Sequence, residues 1–171
     1  MTPPEMARKL ESWADRTQRA MERVESAIAE GQRNQELRST QTDVGVLSSL
    51  ARYHAARLRS AMEYALFLKT AERHRLRGSI EHFERALAQW QQIARLTTGV
   101  YYAHMVFNRL PDQIGHWKDE LPMLEAELQR LRAIDGMYER AVANPDATIK
   151  WKPQLPRYTL TMKWKEESGV L

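Results

Sequence analysis

The stretch from Leu47 to Leu68 constrains this chain most. Leu47, Leu50, His54, Leu58, Ala61, Ala65 and Leu68 follow one another at spacings of three and four residues, which places them on one side of a helix. Ala51, Ala55, Met62 and Leu66 form a second row beside the first, so the stripe is wide enough to need more than one partner. Three further segments carry stripes of the same period. The expected fold is therefore all-α. It is an antiparallel bundle of four main helices over residues 1–143, with an irregular loop before the last helix and an extended tail over 144–171.

Helix one is announced by Thr2, Pro3, Pro4 and Glu5, which combine a cap, prolines tolerated in a first turn and a capping-box acid. Its expected buried row is Met6, Leu10, Trp13, Thr17, Ala20, Val24 and Ala27, closing near Gly31. Thr17, Ala20 and Ala27 are too small for a coiled coil and favour close approach to a neighbour. Helix two is expected to begin between Gln35 and Asp43, with Gly45 marking a weak first turn, a kink or a close approach. Residues 71–78, with Arg73, His74, Arg75 and Arg77, read as a basic connection. Helix three then starts at Ser79, turns Ile80, Phe83, Leu87, Trp90, Ala94 and Thr97 to one face, and stops at Gly99. Helix four spans Asp119 to Ile134 with Leu121, Leu124, Leu128 and Leu131 inward, and a separate helical piece follows Gly136 to Ala143.

Beyond Ala147 the period changes. Tyr158, Leu160, Met162 and Trp164 alternate with Arg157, Thr159, Thr161 and Lys163, which is a strand pattern. One strand is not stable alone. The tail is therefore expected to begin a β domain missing here, and the chain to be a piece of a longer protein.

A length of 171 residues with 43% hydrophobic content suits one core. The net charge of +4 is the small difference between 26 basic and 22 acidic residues. Interspersed charge of this kind solvates helix faces and argues against a dedicated nucleic-acid binder. The absence of cysteine excludes disulfides and cysteine-based zinc sites. No run of about 18 apolar residues is present, so no membrane span is expected, and Met1 to Glu5 lacks the pattern of a secretory leader.

Chemistry, if any, is expected in the 101–120 connection, which carries Tyr101, Tyr102, His104, Asn108, Asp112, His116, Trp117, Asp119 and Glu120. The competing expectation is that Tyr101, Phe107 and Trp117 plug the bundle end while His116 and Asp119 cap it. His54, His74, His82, His104 and His116 show no metal-ligand spacing. Ser48, Ser49 and Ser60 lack a nucleophile elbow, and no glycine-rich phosphate loop occurs. No catalytic residue, metal or cofactor is thus expected.

Two resemblances follow from particular residues. Ser79 to Leu87 resembles the second helix of a tetratricopeptide repeat, but the pattern does not return at the 34-residue period of such arrays. More extensive is a likeness over residues 2–95, carried by Thr2-Pro3-Pro4-Glu5, by Glu36 to Thr40 with Thr42-Asp43, by Ala51 to Ala61, and by Ala86 to Trp90. These segments resemble the C-terminal helical region of large bacterial glycoside-hydrolase-like proteins of the α-glucuronidase type. His54 stands where the family has a second tyrosine, and Ser60 where it has glycine.

The resemblance implies an accessory module that buttresses a catalytic domain on the same polypeptide, an extracytoplasmic location, and carbohydrate as a possible ligand. A barrel outside this chain would carry the glycosidic chemistry. Under that reading Arg38, Asp43, Tyr53, Arg57, Arg59, His116 and Trp117 dock the neighbouring domain or shape the rim of a sugar site. The alternative reading is a stand-alone helical interaction protein, homodimeric through helix one.

Overall fold

Local signals start the first two helices. The backbone N–H of Thr2 donates to the Glu5 carboxylate at 2.7 Å, and this bond holds the Glu5 carboxyl below its usual range. Asn34 caps the second helix by accepting from the Leu37 N–H at 2.8 Å. The computed structural model describes residues 1–28, 34–106 and 114–143. Gly31, Phe107, Asn108, Asp112 and the tail, with the strand expected there, lie outside the described residues.

The elements are α1 (Pro3–Ala27), α2 (Gln35–Thr70), α3 (Arg73–Thr97), β1 (Met105–Val106), β2 (Ile114–Gly115) and α4 (Leu121–Ala143). A short 3-10 turn at Trp117–Glu120 leads into α4. The two strands form a minimal antiparallel ladder that pairs Met105 with Gly115 and Val106 with Ile114. The chain is an all-α antiparallel helical bundle in which α1 packs on α2, α2 on α3 and α3 on α4, with α4 also touching α2 through Arg57–Glu127 and Phe67–Tyr138.

Several boundaries differ from the sequence expectation. Residues 71–78 are not a connection, because Ala71 alone makes the turn in the left-handed conformation (φ 56°) and α3 begins at Arg73. The basic run therefore occupies its first two turns. Gly78 lies inside α3 without ending it, at the usual cost of about 1 kcal/mol relative to alanine. Gly45 and Gly136 likewise sit inside continuous helices. At Gly45 the cause is close approach, as an added Cβ would lie 3.1 Å from a Leu96 methyl. Helix one closes at Ile28, whose N–H donates to the Val24 carbonyl.

The core lies between α2, α3 and α4. Phe83, Leu87, Leu124 and Leu128 form one buried cluster, with Tyr53, Ile80, Trp90, Leu121 and Leu131 against it. Tyr64, Phe67 and Leu76 form another, joined by Ile134 and Tyr138. The expected inward rows of helices three and four are thus the observed ones.

For α1 and α2 the buried face is displaced from the expected one by a single residue. Helix α2 buries Val46, Ser49, Ala56, Ser60, Tyr64 and Phe67, with Ser48 and Ala55 alongside, while Leu47, His54, Ala61 and Ala65 face outward. Helix α1 buries Ala7 and Ala14, while Met6, Trp13, Val24 and Ala27 are exposed. Small side chains bring the two backbones close enough for the Ser48 hydroxyl to donate to the Ala14 carbonyl at 3.3 Å. Ser60 is buried because its hydroxyl reaches the Ser79 carbonyl at 2.9 Å. A satisfied serine is buried at little penalty, whereas an unsatisfied one is not.

Candidate functional site

Four of the residues singled out from sequence meet where α2, α3 and α4 join. Tyr53 packs on Trp90 at 4.7 Å between ring centroids, and Trp90 packs edge-on to Trp117 at 5.3 Å. The Trp90 indole N–H donates to the Trp117 carbonyl at 2.7 Å. Arg57 lies 4.3 Å over the Phe83 ring and pairs with Glu127 at 3.2 Å. His116 is buried at the start of the 3-10 turn: its N–H donates to Asp119 at 2.7 Å, and its Nδ1 accepts from the Lys118 N–H at 3.2 Å. Burial, more than the neighbouring charges, pushes the Tyr53 hydroxyl up.

The other three stand elsewhere. Arg59 is held by Glu11 of α1 through two bonds, the shorter 2.6 Å. Asp43 accepts from the Tyr101 hydroxyl; partial burial, reinforced by that bond, pushes Tyr101 up to about 12. Arg38 is exposed near the start of α2, on an open polar cleft of about 750 Å³ between α1, α2 and α3. Within that cleft Arg52 is engaged by Asp15 and Ser48 and Arg95 by Gln92. Among the described residues no three His, Asp or Glu side chains gather as a metal set, and no helix is long and apolar enough to cross a membrane.

A different surface stands out physically. The row that the sequence marks most strongly, Leu47, His54, Ala61 and Ala65, is exposed, with Leu50, Ala51 and Leu58 half-buried along it. Leu47 is 64% exposed and Trp13 on α1 is 48% exposed. The two rows share one side of the helix pair. Glu11 and Asp15 of α1 reach Arg59 and Arg52 on the side of α2 that faces α3, so Met6, Leu10, Trp13 and Val24, around the helix from those acids, fall on the side of Ala51, Leu58 and Leu47. The result is an apolar face across two helices with no helix of the described residues upon it.

Along the α1 edge of this face lie Lys9, whose ammonium sits 5.1 Å over the Trp13 ring, and Arg16, Arg19 and Arg23. With Trp13, Thr17 and Ala20, the three arginines line a shallow depression of about 610 Å³. Sequence reading missed this row. Helix α1 carries five basic and five acidic residues, so its charge sums to zero, and only their placement around the helix separates the signs.

No family model matches the chain, and neither a curated protein nor a solved structure matches it.

Proposed function

We propose that this protein is a non-catalytic helical docking module, whose α1 and α2 present an apolar face to a protein partner. The observation that carries the reading is the exposure of Trp13 and Leu47 on one side of the same helix pair. Isolated exposed apolar residues are ordinary, but a contiguous apolar face on a soluble scaffold marks an interaction surface. The aromatic clusters and ion pairs at the α2–α3–α4 junction support the same reading, because they tie helices together and leave the outward face as the surface open to contact. Within this proposal, a neighbouring catalytic domain of a carbohydrate-active enzyme is the partner that the glycoside-hydrolase resemblance suggests.

The test is site-specific photo-crosslinking in the cells that make the protein. A photoreactive side chain replaces Trp13, Leu47 or, as a control on another helix, the exposed Met123. A discrete protein adduct at positions 13 and 47, absent at 123 and lost in a Leu47 probe that also carries Trp13→Glu, is the expected result. Equal yields at all three positions would end the proposal.

A further inference from the structure

Resting on the docking reading above, we propose that the occupant of the α1–α2 face is an amphipathic helix of another protein with carboxylates along one flank. The charge pattern around α1 carries the inference. Of its five acids, Glu11 binds Arg59, Asp15 binds Arg52 and Glu22 accepts from Gln18, while Glu5 closes the first turn by accepting from the Thr2 N–H. Arg16, Arg19 and Arg23 turn outward, and among the described residues no carboxylate engages them. They repeat at spacings of three and four, a line about 10 Å long beside the apolar strip.

Along the other border the residues of the α2 row carry no formal charge. Leu47, Leu50, Ala51, His54, Leu58, Ala61 and Ala65 follow one another there, and the nearest arginine beyond them, Arg57, is paired with Glu127. A face with cations on one edge only is complementary to a helix with an apolar stripe and one acidic flank. The exposed apolar positions from Met6 to Val24 extend over about 27 Å, the length of a partner helix of about 18 residues.

Other occupants fit less well. A second copy seated on the same α1 face would bring arginine against arginine, and like charges facing each other disfavour assembly. The tail of this chain, residues 144–171, carries five basic and three acidic residues, so it too is the wrong sign. Phosphate polymers would satisfy the arginines and leave Leu47, Met6 and Val24 uncovered.

The experiment measures fluorescence anisotropy of two labelled synthetic helices of about 18 residues, sharing a leucine stripe and differing only in Glu or Lys along one flank. The full chain is expected to bind the Glu helix, with affinity falling about tenfold between about 50 and about 500 mM NaCl, and the Lys helix far more weakly. Reversing Arg16, Arg19 and Arg23 to Glu, with the helical circular dichroism unchanged, is expected to exchange these preferences. No binding of the Glu helix, equal binding of both helices, or tighter arginine-dependent binding to phosphatidylglycerol vesicles or duplex DNA would overturn the proposal. Trp13→Glu separates the two readings. If it abolishes binding of both helices while the arginine variants change nothing, docking stands and the acidic partner falls; if it changes neither, docking itself falls.

Discussion

The hydroxyls of Ser60 on α2 and Ser79 on α3 meet at 3.0 Å inside the protein, with the residues 4% and 0% exposed. The Ser60 hydroxyl also lies 2.9 Å from the Ser79 carbonyl. This polar rivet is what allows two helices to pack through serine where leucine would be expected. Ser60→Ala should lower stability by about 1 kcal/mol, the usual net worth of such a bond. Ser60→Leu should lower it by about 1–3 kcal/mol through overpacking. Urea denaturation of both variants checks the order.

At the α1–α2 seam, adjacent residues should behave oppositely. Ala14 is buried and Trp13 beside it is exposed. Ala14→Leu should force the helices apart at about 1–3 kcal/mol, whereas Trp13→Ala should leave stability within about 0.5 kcal/mol. A core with Trp13 inside would give the reverse ranking in thermal melts.

Two backbone positions should tolerate improvement. Ala71 holds a positive φ of 56°, a conformation that penalises an L side chain by about 1–2 kcal/mol, so Ala71→Gly should raise the melting temperature. Gly78 lies within α3, and a Cβ there has ordinary contacts only. Gly78→Ala should therefore add up to about 1 kcal/mol from helix propensity.

Stability should rise with pH through the histidine range. Burial holds the His82 imidazole below its ordinary value of 6.5, with Arg85 and Arg59 adding to the effect and Glu63 and Glu81 opposing it. Just below 6.5 the unfolded chain therefore binds a proton that the folded chain refuses, and the folded state loses ground as the pH falls. His82→Gln should reduce the slope of stability against pH just below 6.5 in denaturation experiments, leaving the share of His54, which burial also holds below 6.5.

A second pH effect has a different source. The Arg73 guanidinium, bonded to Asp135 at 2.6 Å and 3.1 Å, holds that carboxyl below its ordinary 3.8. The stability that Asp135 contributes is present above 3.8 and is lost as the pH falls through the depressed value. Asp135→Asn should remove this acid-range loss together with the stability it reports.

How far the sequence could be read depended on what each helix buries. In α3 and α4 the buried residues are Phe83, Leu87, Leu124 and Leu128, so apolar periodicity and burial coincide. In α1 and α2 the seam is made by alanines and hydrogen-bonded serines, and the rule that larger apolar residues lie inside selects the wrong face. The start of α3 was hidden by Gly78 and a basic run that resembles a loop. Tyr53, Trp90 and Trp117 come together only through contacts between distant segments, which no local pattern reveals. The arginine line on α1 was visible in principle, at spacings of three and four, but was masked by an equal number of acids on the same helix.

Placing α1 at the margin of a three-helix core has a mechanical consequence. The trio of α2, α3 and α4 is fastened from every side, whereas a helix laid against its edge can be released by itself. Helix α1 rests mainly on α2, through buried Ala7 and Ala14, the Ser48 hydroxyl and the ion pairs of Glu11 and Asp15, and the aromatic clusters of the described residues lie in the other three helices and the 3-10 turn. A visitor that grips Trp13 therefore pulls on the least fastened member of the assembly, and hydrogen exchange in α1 should report that tug before any other amide does.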